Sequence, residues 1–140
     1  MSQFTGLLSA TGLGSIQNLG VELPDVTPNA VNWNDVFSPS SATTNTVTIT
    51  GINTAINLSI SYTGYNSPGA FSVYKNDTEF DLTTNNPYTL SVSNNDQVYF
   101  FYNPQVESTV SVTVTNASDG NTVLDTFTMT AFQGGGGGGG

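Results

Sequence analysis

The sequence predicts an all-β protein, a small antiparallel β-sandwich, and three observations lead to this prediction. Apolar and polar residues alternate over several short segments within residues 45–132, as in strands that bury only one face. Clusters of Asn, Asp and Gly separate these segments, and such residues tolerate the positive φ angles of tight turns. The length of 140 residues is typical of one domain with one core.

The strands are predicted in chain order from this alternation. Residues 31–37 are interpreted as a first edge strand, and the later strands are "NTVTIT", "INLSISYT", "AFSVYK", "PYTLSVS", "QVYFFYNP", "STVSVTVTN" and a last strand that ends at Phe132. Short strands that recur about every 8 to 12 residues are typical of a β-sandwich of immunoglobulin-like size. The residues predicted to face the core are Val47, Ile49, Leu58, Ile60, Val73, Leu90, Val92, Phe100, Val112, Val114 and Phe127.

The segment "QVYFFYNP" differs from the other strands because neither of its faces is polar. Val98, Phe100 and Tyr102 point to one side, and Tyr99 and Phe101 point to the other. A strand of this kind is covered on both faces, here by the N-terminal segment or by a loop. The alternative is an exposed aromatic binding patch. We prefer the first interpretation, and the second stays open.

The first 30 residues predict an extended arm without a core of its own. Gly recurs every few residues, Pro24 and Pro28 follow, and no strand or helix period is present. The arm is nevertheless apolar and needs a surface to cover it, which we expect on another chain, a neighbouring copy or a different protein. The arm residues predicted to bind this partner are Phe4, Leu7, Leu8, Leu13, Ile16 and Leu19.

The domain boundaries follow from these patterns: an arm at residues 1–30, a sandwich at residues 31–133 and a glycine tail at residues 134–140. A run of glycines buries no side chains and is costly to order. Three interpretations of the tail compete: a flexible end, a tether to something beyond residue 140, or a placeholder for residues of unknown identity.

The charge of the chain limits its partners. Lys75 is the only basic residue, and the net charge is −9. Nucleic acid is excluded, because binding to a phosphate backbone requires clustered Lys and Arg. Anionic membrane surfaces would repel the chain, and no apolar run approaches the ~20 residues of a spanning helix. The N-terminus also lacks the features of a secretory signal, so we expect synthesis in a cytoplasm.

The side chains available for chemistry are few. The sequence has no His and no Cys, the residues that most often serve as general bases, nucleophiles or soft metal ligands. Asp77, Glu79 and Asp81 alternate along one predicted strand, which is typical either of a hard-cation site or of a solvated edge that resists aggregation. We prefer the second interpretation. The sequence thus predicts no enzyme, no metal and no cofactor.

Four segments together resemble a known module. They are "NWNDVF" at 32–37, "VTITGINTAINLSISYTG" at 47–64, "VSNNDQVYF" at 92–100 and "VTVTNASDGNTVLDTFTMT" at 112–130. They are similar to a short immunoglobulin-like module that recurs in virion proteins of tailed bacteriophages, notably phages of marine bacteria and cyanobacteria. The hairpin "SDGNTVLDTF" is the most specific part of the resemblance. The resemblance implies an immunoglobulin-like antiparallel sandwich and a location in the virion.

Two functions are compatible with this resemblance. In such phages the module is similar to domains of capsid decoration, or cement, proteins, which implies an arm that binds the major capsid protein. It is also similar to domains of tail fibre and baseplate proteins, which implies an adhesion module that binds a receptor glycan. Stacking residues for a glycan would be Tyr62, Tyr65 and Tyr74, although the alternation predicts that Tyr62 belongs to the core.

Overall fold

The structure, a computed structural model, describes residues 31–132. These residues form two β-sheets packed face to face, with no α-helix among them. The predicted all-β sandwich is therefore confirmed, and its immunoglobulin-like character stays a prediction. The arm and the glycine tail lie outside the described residues, as do the predicted partner-binding residues Phe4, Leu7, Leu8, Leu13, Ile16 and Leu19.

Within residues 31–132, ten strands make up the two sheets. They are β1 (Val36–Ser38), β2 (Ala42–Thr43), β3 (Val47–Thr48), β4 (Ile56–Thr63), β5 (Gly69–Lys75), β6 (Thr78–Asp81), β7 (Tyr88–Val92), β8 (Gln97–Pro104), β9 (Ser108–Asn116) and β10 (Thr122–Ala131). A 3-10 turn, Leu82–Thr84, connects β6 to β7.

The first sheet has the strand order β1-β10-β9-β4-β7. The second sheet has the order β2-β8-β5-β6, and β3 also pairs with β8. All pairs are antiparallel except β1 with β10, which run parallel. The chain passes repeatedly between the sheets, so the core is built from strands that are distant in sequence.

The core lies between the two sheets and follows the predicted alternation. On β9, for example, Val110, Val112 and Val114 are buried while Ser111 between them is exposed. Because side chains alternate between the two faces of a strand, each strand gives one apolar row to the core. Every residue predicted to face the core is buried: Val47, Ile49, Leu58, Ile60, Val73, Leu90, Val92, Phe100, Val112, Val114 and Phe127.

The predicted first strand at residues 31–37 is wrong in its extent, because the strand covers only Val36–Ser38. Val31 and Trp33 are buried as the alternation suggested. The backbone N–H of Trp33, however, donates to the carboxylate of Asp125 (2.7 Å) instead of to a neighbouring strand. Alternation therefore correctly indicated burial here, but the hydrogen bonds go to side chains.

The segment "NTVTIT" is also shorter as a strand than predicted, since β3 contains only Val47 and Thr48. Ile49 is fully buried, yet its backbone pairs with a loop. Its N–H donates to the carbonyl of Asp96 (2.8 Å), and its carbonyl accepts from the N–H of Asn95 (2.7 Å). The loop before β8 thus takes the place of a partner strand at this position.

Trp33 fixes the start of the described chain to both sheets. Its indole Nε1 donates to the carbonyl of Val98 on β8 (3.1 Å). Its ring meets Phe100 of β8 edge-on, with centroids 5.2 Å apart, and lies 5.8 Å from the ring of Phe127 on β10. A buried indole needs a partner for its N–H as well as packing for its rings, and Trp33 has both.

The carboxylate that binds the N–H of Trp33 has a perturbed pKa. Burial raises the pKa of Asp125 above its ordinary value, hydrogen bonds from the backbone of Trp33 and Thr126 lower it, and the negative charge of Asp35 raises it further. The net shift is upward. Between the ordinary and the raised pKa the folded protein holds the proton more tightly than the unfolded chain. The contribution of Asp125 to stability therefore decreases as the pH rises through this window.

We expect the substitution Asp35→Asn to lower the pKa of Asp125, because it removes the neighbouring negative charge. The asparagine keeps an oxygen that can accept the N–H of Thr128, which Asp35 binds at 2.8 Å. An NMR titration of the Asp125 carboxyl carbon would measure the shift. Glu107→Gln is the matched control, because it removes an exposed carboxylate between β8 and β9. Equal shifts in both variants would contradict a local effect of Asp35.

Candidate binding site

The outer faces of the two sheets differ in chemistry. The first sheet presents hydroxyl groups, such as those of Thr109 and Thr130, which hydrogen-bond to each other at 2.7 Å. The second sheet presents Tyr74 from β5 and Tyr99 and Phe101 from β8. A Thr-rich outer face is ordinary for a solvated sheet, whereas clustered aromatic side chains on such a face make it a candidate binding surface.

An open depression lies on this aromatic face, with a volume of about 390 Å³. We call it the aromatic groove, and its lining residues are Thr43, Thr46, Tyr74, Tyr99 and Phe101. Tyr74 and Tyr99 are directly opposite each other in the β5–β8 register. Their rings are nearly parallel, at 4°, with centroids 4.8 Å apart. The stacked pair forms one wall of the aromatic groove.

The aromatic groove is next to a carboxylate and has no described cation on it. Glu79 of β6 is opposite Tyr74 in the β5–β6 register and accepts from the hydroxyl of Ser72 (2.7 Å). Burial raises the pKa of Tyr74, and the charges of Glu79 and then Tyr99, together with a hydrogen bond to the Glu79 side chain, raise it further. The Tyr74 phenol is therefore protonated at neutral pH and can donate a hydrogen bond. The ammonium group of Lys75 donates to the carbonyl of Ser91 (2.9 Å) and does not line the groove.

The other tyrosines that the sequence offered for stacking have structural roles. Tyr62 and Tyr65 pack around Phe71, with ring centroids 5.0 and 6.2 Å from its own. The hydroxyl of Tyr62 donates to the carbonyl of Leu82 (2.7 Å), and that of Tyr65 donates to the carbonyl of Gly69 (2.7 Å). Tyr62 packs against the core as predicted. Of the three candidates, only Tyr74 lines the aromatic groove.

Sequence reasoning placed Tyr99 and Phe101 on the second face of β8 but missed Thr43 and Thr46. Thr43 is opposite Phe101 in the short β2–β8 pairing, and Thr46 follows in the connection to β3. This pairing joins residues that are more than 50 positions apart in the sequence. No local pattern in the sequence indicates it.

Three acidic residues have different structural roles: Asp77, Glu79 and Asp81. Asp77 is in the β5–β6 turn with a positive φ of 67°, and Glu79 binds Ser72 as described. The carboxylate of Asp81 accepts from the N–H of Thr83 (2.9 Å) and from its hydroxyl (2.6 Å), which caps the 3-10 turn. Within residues 31–132, no three His, Cys, Asp or Glu side chains come together in a way that could hold a metal ion.

Comparison of the chain with protein-family models, with curated proteins and with solved structures gave no match. In the part of the chain that the structure describes, no helix has the length and apolar character to cross a membrane. The resemblance to phage virion modules stays a prediction.

Proposed function

We propose that the protein is a non-enzymatic structural protein of a phage virion. In this proposal it is a capsid decoration, or cement, protein that is made in the host cytoplasm and binds the major capsid protein through residues 1–30. The support comes from the segments that resemble virion modules and from the apolar composition of the arm. The net charge of −9 favours a protein partner over nucleic acid or an anionic membrane.

One observation carries this proposal: residues 1–30, which are rich in apolar side chains, are joined to a sandwich with its own core at residues that are buried in that core. The described residues supply a contiguous core between both sheets. Val31 and Trp33, where the segment joins, are each only 2% exposed. An apolar segment held in this way can bury its side chains on a partner, and each Å² of apolar surface removed from water contributes about 25 cal/mol.

Three of the described carboxylates have structural roles in local hydrogen bonds. Asp81 caps the 3-10 turn, and Asp125 holds the N–H of Trp33. Asp96 accepts from the side chain of Asn76 (2.8 Å) and from the N–H of Ser93 (2.7 Å). General acid and base catalysis uses a group that can reach a substrate proton, whereas these carboxylates are engaged in local hydrogen bonds.

Deleting residues 2–20 is expected to abolish binding to the capsid and to leave the sandwich folded. The measurement is co-sedimentation with capsids assembled from the major capsid protein encoded in the same genome. The full chain should bind to saturation, since a decoration protein occupies a fixed number of equivalent sites. Circular dichroism should show the same strand signal in both proteins.

A variant without residues 134–140 is the matched control, because it also shortens the chain but keeps the arm. This control should bind as the full chain does. Equal binding by the variant that lacks residues 2–20 would contradict the role of the arm. Failure of the full chain to bind capsids would contradict the proposed function itself.

A second candidate function is glycan binding by a tail fibre or baseplate module, and the aromatic groove is the observation that favours it. Aromatic faces and hydroxyl donors suit a sugar ring, and the acidic chain favours a neutral glycan. The test is titration of the full chain with neutral oligosaccharides, followed by NMR. Binding that is lost in the Tyr99→Ala variant but kept in the Phe37→Ala variant, on β1, would support this candidate. Unchanged spectra would exclude it.

A further inference from the structure

The aromatic groove lies beside the point where residues 1–30 join the described domain. The side chain of Asn45 holds this junction on both sides of Trp33. Its Nδ2 donates to the carbonyl of Asn32 (2.8 Å), and its Oδ1 accepts from the N–H of Asn34 (2.8 Å). Thr46, the next residue, lines the aromatic groove. Asn32, the second described residue, therefore lies close to the rim of this groove.

The sequence immediately before this junction suits an aromatic surface. It reads "LPDVTP" over residues 23–28. Proline fixes φ near −65° and restricts the residue before it to extended conformations. Extended segments with proline bind to grooves lined by aromatic side chains, because the backbone loses little entropy and the proline ring packs flat against an aromatic ring. Leu23 and Val26 add apolar side chains to the same stretch.

The reach of the chain is sufficient. Pro28 precedes Asn32 by four residues (32 − 28 = 4), and a chain of that length spans up to about 14 Å. Pro24 precedes Asn32 by eight residues (32 − 24 = 8), which allows up to about 28 Å. A β-sheet separates neighbouring strands by about 4.8 Å. Both prolines can therefore reach the rings of β8 and β5 from the rim.

We propose that residues 23–28 of the same chain dock in the aromatic groove. Pro28, the nearer proline, lies against Tyr99, and Pro24 lies farther along toward Tyr74. Docking fixes the direction in which residues 1–22 leave the domain. The partner-binding residues predicted farther along the arm stay free for another protein, and the inference does not depend on which protein that is.

A spin label tests this arrangement in the full chain. The sequence has no cysteine, so Glu22→Cys accepts a nitroxide at a single position, just outside the docked segment. We expect the label to cause a loss of NMR amide intensity at the groove residues Tyr74, Tyr99 and Phe101. The outer face of the first sheet, for example at Thr113, should keep its intensity.

Two variants in the labelled protein separate docking from simple proximity to the junction. Replacing both prolines, with Pro24→Ser and Pro28→Ser, should restore the amide intensity at Tyr74 and Phe101, and it changes no residue of the described sandwich. Tyr99→Ala should have the same effect. Phe37→Ala is the matched control, since Phe37 is an aromatic residue of the other sheet that is 62% exposed, and it should leave the intensity loss unchanged.

Three results would overturn the proposal. The first is an intensity loss that the proline substitutions do not change, which would mean that the label is near the groove without docking. The second is an equal loss in a mixture of labelled chains with separate isotope-enriched chains, which would place a second copy in the groove. The third is a shift of the Tyr74 and Tyr99 signals with a neutral oligosaccharide while the proline signals stay constant, which would mean that the groove is open to a glycan.

Discussion

Replacing Phe100 with alanine is expected to lower the free energy of unfolding by about 3–5 kcal/mol. Phe100 is fully buried on β8, and its ring centroid lies 5.2 Å from that of Trp33 and 5.0 Å from that of Phe127 on β10. The substitution therefore removes contacts to the other sheet and to the start of the chain together. Because small domains are stable by about 5–15 kcal/mol, this single change could leave the sandwich close to unfolding.

Urea denaturation of the full chain measures this loss, with circular dichroism as the signal because the substitution also changes the surroundings of Trp33. Phe37→Ala is the control, since this phenylalanine on β1 is 62% exposed. A surface change of this kind should alter stability by no more than about 0.5 kcal/mol. If both variants lose the same stability, Phe100 does not hold the two sheets together as the structure indicates.

Most of the fold could be predicted from the sequence because a strand with one buried face has alternating apolar and polar residues. On β4 the alternate residues Ile56, Leu58 and Ile60 are apolar and buried, as are Val110, Val112 and Val114 on β9, so strand and core follow from the same alternation. Asn and Gly in the intervening turns adopt positive φ angles as expected, for example at Asn76 (51°), Asn95 (76°) and Gly120 (61°). These signals are local, and a single sequence contains them.

The remaining features depend on contacts between distant residues. Residues 31–35 alternate like a strand, yet Asp125, 92 positions away from Trp33, takes the N–H that a strand would need. The aromatic groove likewise requires Thr43 and Thr46 to meet β8. The sequence showed that Tyr99 and Phe101 share a face, but not what lies beside them. For this reason the aromatic composition of the site was predictable, and its shape was not.

Gly64→Ala is expected to cost roughly 3 kcal/mol or more, because it combines backbone strain with a steric overlap. Gly64 follows β4 with a φ of +86°, a conformation that L-residues other than glycine rarely adopt. A Cβ added at this position would overlap the carbonyl oxygen of Thr109 on β9. That carbonyl cannot easily move, because Thr109 is also in register with Thr130 of β10.

Gly120→Ala isolates the first of these two effects, the backbone strain. Gly120 also has a positive φ, +61°, but a Cβ there would meet no atom within 4 Å. Its substitution should therefore cost only the backbone strain, about 1–2 kcal/mol. Urea denaturation of the two variants gives the difference, which reports the overlap with Thr109. A larger loss for Gly64→Ala means that the chain leaves β4 in direct contact with the backbone of β9. Equal losses would mean that β9 can shift to admit a methyl group, and that this end of the first sheet is less tightly packed than its strand pairing indicates.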